Sequence, residues 1–389
     1  MKSAYRFTSL LLSLIAVVAT VMPLSSCRTE PEMVPSSSVD VGDRQLGKYR
    51  GFYLLNEGNM GSNKCTLDYY DYEDGIYYRN IYAERNPSVV MELGDVGNDM
   101  AVYRDRLYIV VNCSHKVEVL DARTAVRIGQ VDIPNCRFIK FAGDKAYVSS
   151  YVGPVEISAD SPKGAIYEFD LTSLRVTRTC TVGYQPEQLE IIDGQIYVAN
   201  SGGYNPANYD NTVSVVDIRS MTQLTQIEVG INLYGLQRDA WGRLWVSSRG
   251  NYKNVESCLY LLEKQPGDAY YKPVRKYDTP ISAMAIDGAD LYYLADAWSE
   301  ITMSATRSYG IIDLRSLQPT GANFITDGTE ASIKQPYGLA VNDDNGDIFV
   351  TDAKNYVSSG TLYCFDRYGV RKWSVTTGDI PRSITFVPR

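Results

Sequence analysis

From residue 51 onward the chain repeats a short pattern: an apolar residue, an aromatic, one or two more apolars, then a small or polar residue. It reads Phe52-Tyr53-Leu54-Leu55-Asn56, Leu107-Tyr108-Ile109-Val110, Ala146-Tyr147-Val148-Ser149, Ile196-Tyr197-Val198-Ala199-Asn200, Leu244-Trp245-Val246-Ser247, Leu291-Tyr292-Tyr293-Leu294 and Ile348-Phe349-Val350-Thr351-Asp352. The seven key aromatics stand 39 to 57 residues apart, a period that indicates propellers or repeat arrays. A second β-rich run follows each copy and usually ends in Asp, as in Val117–Asp121, Ile166–Asp170 and Val213–Asp217. A short apolar run and a turn precede it, as in Leu189-Glu190-Ile191 before Asp193-Gly194. Asp-Gly and Asn-Gly pairs accept positive φ and favour hairpins. With a fourth outer run, such as Val176–Val182, each unit is a four-stranded antiparallel meander. Seven such units predict an all-β, seven-bladed β-propeller.

The first repeat lacks the inner strand that precedes the others. The missing pattern stands at the C-terminus, Pro381-Arg382-Ser383-Ile384-Thr385-Phe386. The last strand is therefore expected to complete the first blade and close the ring, leaving no free sheet edge. A β-sandwich array or two smaller barrels would not explain a displaced final strand. The seven repeat aromatics, from Tyr53 to Phe349, are expected in the core between blades. No long amphipathic helix is evident.

The start of the chain reads as an address. Lys2 and Arg6 precede the apolar stretch Leu10–Val21, too short for a stable membrane span but suited to a secretory signal. It ends at Leu24-Ser25-Ser26-Cys27, which resembles the bacterial lipobox and implies cleavage before Cys27 and acylation of its thiol. Residues 28–48, with Pro31 and Ser36-Ser37-Ser38, read as a polar tether. The expected organisation is a signal peptide over 1–26, a lipidated Cys27 with a flexible tether to 48, and the propeller over 49–389. Acidic residues just after the cysteine resemble the surface-export signal of Bacteroides-type lipoproteins. The implied location is the outer membrane, lipid-anchored and exposed at the cell surface.

Charge and composition then narrow the chemistry. The 389 residues carry 38 Lys and Arg against 46 Asp and Glu, a net charge of −8, without a basic cluster. That argues against a nucleic-acid partner, which needs a concentrated basic face. The single histidine excludes a multi-histidine metal site and disfavours Ser/His or Cys/His catalysis. Six cysteines remain besides Cys27, with no CxxC pair, and are expected as buried thiols. Export permits disulfides, and Cys113 with Cys136 is the first candidate if any pair bridges.

In a meander, the loops between second and third strands share one face with the blade-to-blade loops. Those loops are long here and rich in Tyr, Trp, Asn and Gln, whereas the opposite turns are short. Aromatic planes supply contact area at low entropy cost, and amides hydrogen-bond in both directions. The expected ligand is bulky, neutral and polar-edged: an amide-fringed macrocycle or an oligosaccharide. The candidate contacts are Tyr204, Asn205, Asn208, Tyr209, Asn251, Tyr252, Trp298, Asn355 and Tyr356 in second-to-third loops, with Tyr184, Gln335 and Tyr337 between blades. No catalytic residue, metal ligand or cofactor is expected. A lactonase-like hydrolase is the alternative, with Glu57, Asn200 and Asp296 placed as its metal-holding groups would be. Asp343–Asp347 looks like a calcium loop but lacks the closing Glu. His115, which could ligate a corrinoid cobalt, reads as a solvent-facing loop residue.

The repeat Ile196–Asn200 with Val213–Asp217 resembles the YncE-like propellers over roughly residues 50 to 389. The lipobox, the opening Tyr53-Leu54-Leu55-Asn56-Glu57-Gly58-Asn59 and the tyrosine-rich loops resemble the exported Bacteroides branch of that family, and within it the BtuG-type surface lipoproteins. That resemblance implies non-enzymatic capture of cobalamin and other corrinoids. It also implies a partner, a TonB-dependent outer-membrane transporter of the BtuB type. A glycan-binding propeller of a nutrient-uptake system stays open beside it.

Overall fold

The computed structural model describes residues 34–389 apart from Val90 and Met91. The expected signal segment and Cys27 lie outside the described residues. The rest forms seven antiparallel sheets of four strands, the first widened by a fifth. The seven innermost strands are Pro381–Pro388, Gly97–Tyr103, Cys136–Ala142, Pro186–Ile192, Leu233–Arg238, Ala283–Asp287 and Pro336–Val341. Each lies beside the next, and the last lies beside the first, so the ring is closed. This is the seven-bladed propeller that the repeats predict.

The closing strand Pro381–Pro388 pairs antiparallel with Tyr49–Asn56, from Asn56 opposite Pro381 to Tyr49 opposite Pro388. Gly338 marks the seam between the last and first blades. A Cβ there would stand 2.1 Å from the Arg382 carbonyl oxygen. Thr351 ties the same seam by donating to the Pro381 carbonyl at 2.7 Å.

The core is divided into seven apolar clusters, one at each interface between neighbouring blades. No blade has a core of its own, so each depends on its neighbours. Tyr53, Tyr108, Tyr147, Tyr197, Trp245 and Phe349 are buried as expected. Tyr292 is only partly buried and packs at the edge of the cluster between the sixth and seventh blades. Aspartates that end the third strands shape the turns after them. Asp217 accepts from Ser220 N at 2.7 Å, and Asp170 from Ser173 N at 2.7 Å. The described helices are short: an α-helix over Ile81–Arg85 and a 3-10 turn over Thr329–Ser332.

Two expectations need correction. Residues 37–48 are docked on the propeller, not free. Ser37–Asp40 is the fifth strand of the first sheet, paired with Ile76–Arg79 from Ser37↔Arg79 to Asp40↔Ile76. Asn80 Nδ2 donates to the Val34 carbonyl at 2.7 Å and Ser36 Oγ to the Asn80 carbonyl at 3.0 Å, pinning the entry of the chain. Alternating Ser-Ser-Val-Asp is weakly apolar, but it covers an edge that the first sheet would otherwise expose. Second, Asp296–Ser299 is strand rather than loop. The sixth blade projects a ten-residue hairpin, Asp290–Ser299 against Ser304–Asp313, whose turn is residues 300–303. The pair Asp296↔Arg307 extends it, with Arg307 Nε donating to Asp296 at 3.0 Å. The cysteines match the expectation of unbridged thiols: Cys113 and Cys136 form no disulfide. All six described cysteines are free, and five of them are buried.

Candidate functional site

Six of the seven inner strands carry a β-bulge at their loop-face end. Pairing skips between Leu55 and Asn56 opposite Ser383 and Pro381, between Gly97 and Asp99, and likewise at Cys136/Ile139, Pro186/Leu189, Leu233/Leu236 and Pro336/Leu339. A bulge releases a residue from the ladder and re-aims its side chain. Here it frees Arg382, Asn98, Arg137, Glu187, Tyr234 and Tyr337. In three blades a hydroxyl from the second strand satisfies the bulged backbone. Ser149 accepts from Phe138 N at 3.1 Å, Ser247 from Gly235 N at 2.8 Å and Thr351 from Gly338 N at 2.7 Å.

The released side chains meet across the mouth of the axis. Arg137 donates twice to Glu187, at 3.2 and 3.1 Å, and Arg249 donates to the other oxygen of Glu187 at 3.2 Å. Tyr151 also donates to Glu187. Arg382 donates to Glu57, to Tyr337 Oη at 3.2 Å and to Tyr234 Oη. Tyr337 donates to Glu57 at 2.6 Å. The Arg249 guanidinium lies 3.6 Å from the Tyr234 ring centroid. Burial alone would raise Glu187, but Arg137 and Arg249 hold its carboxyl below the usual range.

The sixth blade is the exception. Its inner strand starts only at Ala283 and has no bulge. The ring of polar side chains is therefore open on that side, and a cavity of about 700 Å³ fills the gap. Its inner wall holds Asn98, Asp99, Tyr234, Arg249, Tyr337 and Arg382, and its outer wall Tyr252, Trp298 and Tyr356 from three neighbouring blades. Trp298 is 46% exposed and Tyr356 39%. Tyr356 meets Tyr337 edge to face, with ring centroids 5.7 Å apart. Tyr252 and Tyr356 both take positive φ, 61° and 62°, which turns the chain sharply at the rim.

A family model matches residues 50–380, described as a domain of unknown function, DUF5074. The chain belongs to this family. No curated protein matches the sequence. Among solved structures, the DUF5074 chain is similar to a quinonprotein alcohol dehydrogenase-like protein from Bacteroides thetaiotaomicron, at 15% identity and a TM-score of 0.60, covering 88% of this chain and 79% of the other. It is similar to a periplasmic gluconolactonase of Pseudomonas aeruginosa at 12% identity and 0.60, covering 87% and 99%. A hypothetical selenium-binding protein from Sulfolobus tokodaii gives 10% and 0.60, covering 90% and 97%. At these identities the likeness concerns the fold.

Of the residues expected to contact a ligand, the DUF5074 structure brings Tyr252, Trp298, Tyr337 and Tyr356 together at the cavity. Tyr204 is packed edge to face on Tyr151 at 5.0 Å and accepts from Asn135 at 3.4 Å, so it serves the third and fourth blades. Asn205 and Asn208 lie in the same loop, where Asn208 N donates to the Asn205 carbonyl at 2.9 Å. Tyr209 is half-buried there. Tyr184 lies outside the cavity, 42% exposed, with its amide on Asp210 at 2.8 Å. Asn251 and Asn355 are spent on their own loops. Asn251 Oδ1 accepts from the amides of Lys253, Asn254 and Val255, and Asn355 Oδ1 from those of Val357 and Ser358. Asx-turns of this kind consume the side chain. Gln335 donates to Asp296 and accepts from Arg307 at 3.5 Å.

The three residues placed for a lactonase-like site are likewise engaged. Glu57 pairs with Arg382, and Asp296 pairs with Arg307. Asn200 donates to Thr212 and Ser214 at 3.0 and 2.9 Å. His115 is exposed, away from the cavity, and its Nδ1 accepts from Asn135 N at 2.9 Å. Asp343–Asp347 forms a hairpin that seats the N-terminal segment: Asp343 accepts from Lys48 Nζ at 2.6 Å and Asp344 from Lys48 N at 2.7 Å. The nearby group Asp43, Asp347 and Cys364 already holds the Lys372 ammonium, 2.8 and 2.9 Å from the two carboxylates.

Sequence reasoning missed the axial ring of the DUF5074 propeller. Its signal is present: the second residue of each of the six bulged inner strands is polar or aromatic, as in Cys136-Arg137-Phe138, Pro186-Glu187-Gln188 and Pro381-Arg382-Ser383, whereas the sixth blade has Met284 there.

Proposed function

We propose that this DUF5074 propeller is a non-catalytic capture protein. In this reading it is lipid-anchored at the cell surface, holds a corrinoid at its loop-face cavity and passes it to a TonB-dependent outer-membrane transporter of the BtuB type. It needs no cofactor, and cobalamin is its cargo, as the likeness to BtuG implies.

The observation that carries the reading is the cavity of about 700 Å³ between the fifth, sixth and seventh blades, walled by Tyr252, Trp298, Tyr337 and Tyr356. Aromatic rings on rigid strands and tight loops cover the apolar parts of a macrocycle with little ordering cost. The backbone and amide groups around them suit the carboxamide edge of a corrin. The engagement of Glu57, Asn200 and Asp296 with their own partners supports binding over hydrolysis.

The test is calorimetric titration of the full-length protein in detergent with cyanocobalamin and with a panel of oligosaccharides. One-to-one binding of cyanocobalamin, insensitive to chelator and leaving the ligand unaltered, is the expected result. Binding of a glycan instead would make the same face a sugar receptor. EDTA-sensitive consumption of a lactone would make the protein a hydrolase.

A further inference from the structure

The axial ring gathers three guanidiniums around two directly paired carboxylates. Glu187 is shared between Arg137 and Arg249, and Glu57 is paired with Arg382. Three further carboxylates line the cavity: Asp99, which accepts from Ile139 N at 3.0 Å, Asp296, paired with Arg307 at 3.0 Å, and the exposed Glu256. Lys140 beside Asp99 is neutralised by Glu190 at 2.6 Å.

Arg249 spends one donor, Nη1, on Glu187. Its plane is stacked on Tyr234, and it lines the cavity. A stacked guanidinium presents its remaining N–H groups at its edge, in the fork geometry that suits an oxyanion. Arg382 lines the same wall and is held in place by Glu57, Tyr234 and Tyr337. Asn98, fully buried in the same wall, has an Oδ1 with no hydrogen-bond partner. That oxygen is shut off from solvent, so the exposed edge of the wall belongs to the guanidiniums.

We propose that the inner end of the cavity is an anion subsite, in which Arg249 and Arg382 receive a carboxylate or phosphate oxygen of the bound molecule. The proposal rests on the capture reading only for the identity of the cargo. In a cobalamin the anion is the phosphodiester of the nucleotide loop, which cobinamide lacks.

The test titrates full-length protein in detergent with phenyl phosphate, benzoate, cyanocobalamin and dicyanocobinamide, following Trp fluorescence and heat. The aromatic anions should bind, and Arg249→Gln should weaken them about tenfold or more, the usual worth of a hydrogen bond to a charged group. The tighter of the two anions identifies phosphate or carboxylate as the matching group. Cyanocobalamin should exceed dicyanocobinamide by a similar factor, and Arg249→Gln should remove the difference. Arg249→Lys keeps the charge facing Glu187 and carries the test if Arg249→Gln does not fold. Equal anion binding by wild type and both folded variants would overturn the subsite. Anion binding that responds to Arg249 without any corrinoid binding would sink the corrinoid reading and leave the subsite standing. Cobalamin and cobinamide bound equally, with no response to Arg249, would do the reverse.

Discussion

The guanidinium of Arg382 reaches the hydroxyl of Tyr234, joining the inner strand of the first blade to that of the fifth across the mouth of the propeller. The contact spans the opening that the other blades only flank. Tyr234→Phe removes this acceptor and leaves Arg382 with Glu57 and Tyr337. Hydrogen bonds to charged groups are worth about 1.5–3 kcal/mol, so the variant should lose stability in that range in urea unfolding. An unchanged midpoint would show that the tie adds nothing to the ring.

Trp298 stands on the hairpin of the blade without a bulge and forms the most exposed aromatic wall of the cavity. Trp298→Ala should weaken cyanocobalamin binding about 30-fold, the effect of losing an aromatic hot spot worth about 2 kcal/mol. His115→Ala should leave affinity and the corrinoid spectrum unchanged, since its Nδ1 serves Asn135. A spectrum that shifts in the histidine variant, with normal binding by Trp298→Ala, would move the site elsewhere.

Removing residues 381–389 takes away the inner strand of the first blade and the Val387 contact in its core. Because every cluster lies between two blades, the loss should spread around the ring. Melting should become broad and fall by tens of degrees, or the protein should fail to accumulate. A truncated chain that melts like the parent would show that the ring holds without closure.

The buried position of Asp99 pushes its carboxyl up to about 6, against the pull of the Ile139 and Met100 amides, Lys140 and Arg382. The folded state therefore keeps a proton that the unfolded chain releases near the ordinary carboxyl value of 3.8. Between those values stability falls as pH rises, and it is level above them. Asp99→Asn keeps an acceptor for Ile139 and has no proton to lose. Its melting temperature relative to the parent should rise from pH 4 to pH 7 and then stay constant. A difference that does not vary with pH would mean that Asp99 is ionised at ordinary values.

The proposed acylation of Cys27 gives a direct test of the anchor. Cys27→Ala should move the protein from the membrane pellet to the soluble fraction and abolish labelled fatty-acid incorporation. Retention of label in the variant would place the lipid elsewhere.

Much of the architecture was legible because the blades repeat one local rule. An aromatic at the centre of each second strand, as in Tyr197 and Trp245, seals against the next blade, and an Asp such as Asp217 shapes the following turn. The hydroxyls of Ser149, Ser247 and Thr351 were visible as the polar ends of the motif, but their task was not. It depends on a bulge in another strand, which periodicity does not report. The rim was legible only in part. Tyr252, Trp298 and Tyr356 point into the cavity, whereas Asn251 and Asn355 turn back on their own loops. Composition does not separate an amide that faces a ligand from one that builds the turn beneath it. The axial ring went unread because its partners, such as Arg382 and Glu57, are 325 residues apart in the chain.

The pinning of Val34 and Ser36 by Asn80 fixes where the chain joins the propeller. Asn80 follows the outer strand Ile76–Arg79 at its loop-face end, the same face on which the cavity opens. Six residues lie between Cys27 and Val34, a leash of at most about 25 Å when fully drawn out. If Cys27 carries the lipid proposed above, so short a leash would tie the bilayer to the rim at which the cavity opens, not to the short-turn face. Cargo would then enter and leave beside the membrane, within reach of an embedded transporter.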